Sequence, residues 1–252
     1  MSREAQWLAV RTRVAALETS GTAVCGVLAF GDARIDGALP GGGLPLGRWH
    51  EAVGEGVEIE TAAAAGAFVT VVATPLAARG AVVWVMRRDD LHAPGLASLN
   101  FPAAQLIQVC VRDEAQALAA LEDALGTAGV AAAVGEAGEV GLTAGRRLQL
   151  ACEKHGATGF IIRRRPFGGT AKRGGGGSAA ATRWSVAAAP SRPAPGEPGL
   201  GEPCWRVELQ RCRGGRPGQW LMEKSDGPYP LRVVAELGDR QLEAPQPLRL
   251  AG

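Results

Sequence analysis

Apolar positions follow two alternating rhythms along most of this chain. Short runs such as "AVVWVM" (81–86) and "QLIQVCV" (105–111) are continuously apolar, the mark of strands covered on both faces. "RWHEAV" (48–53), "VAAAVGE" (130–136) and "TGFIIRRR" (158–165) read as further strands. Between them lie alanine-rich stretches with helical spacing: 61–80, 113–129 with Asp113 as N-cap and Gly126 near the end, and 143–156 stopped by Gly156. Strand and helix alternating in steps of this length predict right-handed crossovers and an α/β fold with a mainly parallel sheet.

After Arg165 the pattern changes. "RWSVAAA", "CWRVELQRC" and "QWLMEKS" read as antiparallel strands, each with a tryptophan near its start. The second and third are joined by a tight hairpin at "GGRPG" (214–218), the first and second by a proline-rich insert (190–203). At the other end, Trp7, Val10, Val14 and Leu17 recur at spacings of three and four. They form one face of a candidate docking helix, packing on its own domain or on a neighbouring molecule. The expected organisation is an N-terminal helix (1–20), one domain (21–240) and a tail (241–252).

With 252 residues and 46% hydrophobic content, the chain can bury one sizeable core. A net charge of +2 supplies no global field for nucleic acid or membrane, so such a role must come from local clustering. Cys25, Cys110, Cys152, Cys204 and Cys212 contain no C-x-x-C pair, which favours reduced thiols and argues against a zinc site. The charged N-terminus has no apolar run of signal or membrane length. A soluble, cytoplasmic protein is expected.

The stretch "GEGVEIET" (54–61) stands between a predicted strand and a predicted helix, where a phosphate-binding loop belongs. In the spacing G-x-x-x-x-G-K-[ST], Gly54 takes the first glycine and Thr61 the hydroxyl. Ile59 replaces the second glycine and Glu60 the lysine. A carboxylate in place of an ammonium turns attraction into repulsion, each about 4 kcal/mol at ~4 Å and an effective dielectric of ~20. The alternative is a plain acidic turn between strand and helix.

These residues, with "RIDGALPGGGLPLGRWHEAVG" before them and "GFIIRRRPFGG" leading through "GGGGSAAATRWSV", resemble the RecA-type ATPase core. More narrowly, "GLTAGRRLQLACEKHGATGFIIRRR" and "CWRVELQRCRGGRPGQWLMEKSDG" resemble the ImuA family of RecA-like accessory proteins of the bacterial translesion-synthesis mutagenesis cassette. The likeness spans about residues 1–240. It implies a three-layer RecA-like core and a role in the DNA damage (SOS) response, with RecA and the polymerase-like protein ImuB as partners. It also implies altered chemistry. The lysine position falls on Glu60, the aspartate after the third core strand on Gly135 or Glu136, and the water-polarising carboxylate on Arg88 or its neighbour Asp89. The expectation is a non-enzyme with no cofactor and no metal. The alternatives are an ATP-dependent DNA-binding protein with a divergent phosphate loop and a cell-division inhibitor.

No acidic residue occurs between Glu153 and Glu197, while Lys154, Arg163, Arg164, Arg165, Lys172, Arg173, Arg183 and Arg192 do, with Trp184 among them. Mobile cations and a stackable indole suit single-stranded DNA. A partner's acidic surface and a merely solvated connector remain open readings. Asp89 and Asp90 follow a strand, where carboxylates often cap the next helix.

Overall fold

A computed structural model describes residues 25–56, 58–164, 178–191, 193, 196 and 198–237, with the backbone alone for 58–62. The docking-helix positions Trp7, Val10, Val14 and Leu17, the loop cations Arg165, Lys172 and Arg173, Arg192, and the tail 241–252 lie outside the described residues.

In chain order the elements are β1 (Val27–Leu28), α1 (Ala33–Asp36), β2 (Leu44–Pro45), β3 (Trp49–Gly54), α2 (Glu58–Ala73), β4 (Ala81–Met86), α3 (Ala93–Leu96), β5 (Leu106–Cys110), α4 (Glu114–Leu125), β6 (Val130–Ala137), α5 (Leu142–His155), β7 (Thr158–Arg163), β8 (Thr182–Ala189), β9 (Cys204–Cys212), β10 (Gly218–Lys224) and β11 (Leu231–Glu236). The protein is a mixed α/β fold. A nine-stranded sheet runs β11-β10-β9-β8-β3-β7-β6-β4-β5. Strands β5 through β8 in that order pair in parallel, and β9, β10 and β11 extend the sheet antiparallel.

Strand alternation sends successive residues to opposite faces. On one face Phe68, Val69 and Val72 of α2 pack with Trp84, Val134, Ile162, Trp184, Val207 and Met222. On the other, Leu121 and Leu125 of α4 and Leu148 and Cys152 of α5 pack with Trp49, Val83, Val85, Ala133 and Ile161. Helices thus cover both faces of the parallel half. The approach is close: a Cβ on Gly135 of β6 would stand 2.0 Å from Leu121 Cδ1. The expected caps form, with the Asp113 carboxylate accepting from Gln116 N–H at 2.8 Å and Gly156 left-handed at φ 76°.

Three expectations need correction. The run at 105–111 is not covered on both faces: β5 is the outermost strand, and Ile107 and Cys110 are exposed. Helix α2 starts at Glu58, three residues before Thr61, and ends at Ala73. Pro75, which lacks an N–H, then starts a 3₁₀ turn (Thr74–Arg79). Strand β11 was not anticipated; Leu231 and Val233 point inward while Arg232 and Val234 face outward. The five cysteines are free thiols. No described helix is long and apolar enough to cross a membrane.

A buried polar chain fastens β8 and β2 to β3. Trp184 Nε1 donates to Thr182 Oγ1 (2.7 Å), the Thr182 hydroxyl to His50 Nδ1 (2.8 Å), and His50 Nε2–H to the Pro45 carbonyl (2.9 Å). The bond from the Thr182 hydroxyl to Nδ1 needs a neutral imidazole. Burial lowers the His50 pKa from 6.5 to about 4, against the pull of the Pro45 carbonyl. Between those values the unfolded chain binds the proton and the folded chain does not. Stability is therefore full above pH 6.5 and is lost as pH falls toward 4, by about 3 kcal/mol. Urea unfolding at pH 7.5 and pH 4.5 should reveal this loss, and His50→Gln should remove most of it.

Candidate functional site at the C-terminal edge of the parallel strands

Strands β3, β4, β6 and β7 all end at one edge of the sheet. The helix after β3 lies on one face, while α4 and α5, which lead into and out of β6, lie on the other. The connections part between β3 and β7, and such a crevice is the ordinary ligand position in an open α/β sheet. The β3–α2 connector is residues 55–57, with Gly56 at φ 108°. Glu55 N–H donates to Val186 O at 3.0 Å, and its carboxylate pairs with Arg206 at 2.6 Å. Gly54 ends β3, and Ile59, Glu60 and Thr61 lie in the first turn of α2.

Behind this connector sits a buried carboxylate. Glu51 is 2% exposed. It meets Arg183 Nε at 2.8 Å and Arg163 Nε at 3.4 Å, from β8 on one side of β3 and β7 on the other. The two guanidinium side chains are themselves only 14% and 8% exposed. Arg163 Nε also donates to the Gly138 carbonyl at 3.1 Å. One carboxylate in the central strand therefore holds both stems of the glycine-rich basic segment.

On the opposite face of the sheet lies a second cluster. Glu136 of β6 accepts from Trp84 Nε1 at 3.2 Å and from Arg164 Nη1 at 2.7 Å. The same guanidinium forks onto both Asp90 oxygens at 3.0 Å each. Burial holds the Glu136 carboxyl above its usual range against the attraction of Arg164, while the bond from Arg164 holds Asp90 below its own. Arg164 thus bridges β6 and the segment after β4 from its place after β7. Arg88 stands 3.8 Å from Asp90.

Several sequence expectations change here. Arg163, Arg164 and Arg183 are anchored in ion pairs, not mobile loop cations, because three strands bring Glu51, Glu136 and Asp90 to them. Trp184 does not offer a face for stacking. It is 3% exposed and tilted against Phe30 and Phe68, since alternation along β8 turns it into the core. Asp90 takes an arginine instead of a helix terminus. Sequence reasoning passed over Glu51 and Trp84; the usable signal was an acid inside an otherwise apolar strand, in "RWHEAV" as in "VAAAVGE".

No protein-family model matches the chain. Among curated proteins it is similar to Protein ImuA of Caulobacter vibrioides, from strain NA1000 / CB15N and from strain ATCC 19089 / CIP 103742 / CB 15. Each is 57% identical over 236 residues, covering 90% of this chain and 96% of the relative. Among solved structures, "Crystal structure of SulA from Pseudomonas aeruginosa" aligns with 46% of this chain and 98% of that one, at 16% identity and a TM-score of 0.40. A likeness that slight bears on neither fold nor function.

Proposed function

Because the chain belongs to the ImuA family, we propose that it is a non-catalytic accessory protein of damage-response mutagenesis, acting as a RecA-like surface that docks on RecA and on the polymerase-like protein ImuB. The observation that carries the non-catalytic reading is an exchange of charges at the sheet edge. The position for a phosphate-binding lysine is Glu60, and the carboxylate on β6 that would face a metal ion is closed by Trp84 and Arg164. A magnesium-bound triphosphate needs cations around the phosphates and open carboxylates or hydroxyls around the metal. The residues present are the reverse, and they do not fit that group.

The docking reading draws on the family and on a physical consequence. A protomer that keeps a RecA-like surface without a nucleotide switch can join or cap an assembly without cycling. Purified chain mixed with RecA, single-stranded DNA and ATP should shorten filaments or change the ATPase rate, and should co-purify with RecA. No change in filament length, ATPase rate and co-purification together would remove the proposal.

A further inference from the structure

The two stretches that lack acidic residues, 154–196 and 209–222, become neighbours through the pairing of β8 with β9. Their cations meet different fates at the two ends of the sheet. Toward the C-terminal edge of the parallel strands Arg163 and Arg164 are taken up by Glu51, Glu136 and Asp90, and Arg183, near the start of β8, is taken up by Glu51. At the other edge the β9–β10 hairpin carries Arg211, Arg213 and Arg216, all exposed. Among the described residues none of these three pairs with a carboxylate. Arg211 Nη1 donates to the Ser178 carbonyl at 2.5 Å, a contact that leaves its charge uncompensated.

The hairpin tip is held in place. Arg213 N–H donates to Ala181 O at 3.0 Å and Arg216 N–H to Ala38 O at 2.9 Å. Gly214 turns with φ 74°, and a Cβ on Gly215 would stand 2.4 Å from the Ala38 carbonyl oxygen, so glycine is needed for this docking. In the ladder Arg211 lies directly opposite Arg183, an unfavourable pairing of like charges. Glu51 neutralises the Arg183 side of that pair and leaves the Arg211 charge for a ligand.

We infer that the β9–β10 hairpin is an anion-binding surface for the phosphate backbone of single-stranded DNA, with Arg213 and Arg216 as its principal contacts. Guanidinium forks match phosphate oxygens in pairs. A protein partner would be expected to meet an apolar or aromatic anchor. Among the described residues none of the exposed large apolar side chains lies on the hairpin. Trp205 and Trp220, which flank it, are buried, so bases have no platform there and recognition is of the backbone. This rests on the damage-response reading only for the choice of DNA, and the test contains neither RecA nor nucleotide, so either can fail alone.

The experiment is fluorescence anisotropy with labelled oligothymidine and oligodeoxyadenosine across a salt series. Wild-type chain should bind both alike. Arg213→Ala/Arg216→Ala should bind at least tenfold more weakly at low salt, with a log–log salt slope shallower by about 1.4, two phosphates at ~0.7 each. Arg213→Lys/Arg216→Lys should keep most of the slope. Arg232→Ala, which removes an exposed cation paired with Glu223, should change little. Urea midpoints establish that each variant is folded. The inference is overturned if wild-type chain does not bind, or if the double alanine variant keeps wild-type affinity and slope.

Discussion

Glu51→Leu is expected to cost about 3–5 kcal/mol of folding stability, the largest loss from any single substitution at the site. The carboxylate is 2% exposed and is shared by two guanidiniums that are themselves nearly out of water. Removing it takes the shared carboxylate away from two buried cations that face each other across β3. Either arginine removed alone should cost less, because Glu51 keeps the other. Replacing all three by apolar residues should recover much of the loss, since the desolvation of three charges goes with them. Urea unfolding at neutral pH reads all four variants. A Glu51→Leu chain within about 1 kcal/mol of wild type would mean that the buried cluster is not what joins β7, β3 and β8.

This cluster also marks where the sequence stops being readable. Strands β4, β6 and β7 and helices α4 and α5 announce themselves through local signals: apolar runs, the Asp113 cap and the Gly156 stop. Strand β5 differs from β4 in composition by little more than Gln108, yet strand order makes one an edge and the other an interior strand, and order is a property of the whole sheet. Strand β11 is a short alternating segment after a Ser-Asp-Gly-Pro-Tyr-Pro turn, too brief for periodicity to separate from loop. Charge was misleading for a related reason. The acid-free stretch looked like a free cationic arm, but the acids that neutralise Arg163, Arg164 and Arg183 come from β3, from β6 and from the segment after β4. For those three arginines the segregation of charge along the chain did not survive folding.

The second large effect concerns nucleotide. At the lysine position the lost attraction alone is about 4 kcal/mol, and repulsion by Glu60 adds to it. That corresponds to at least about a thousandfold weaker hold on a triphosphate than a working loop would give. Glu60→Lys should recover part of that affinity. It should not restore turnover, because Arg164 still fills the space between Glu136 and Asp90.

Isothermal titration of the purified wild-type chain with ATP and magnesium is the most direct test. The account predicts no saturable heat into the millimolar range, with or without the metal. Saturable, magnesium-dependent binding at micromolar ATP would contradict it and return the sheet edge to the class of working nucleotide sites.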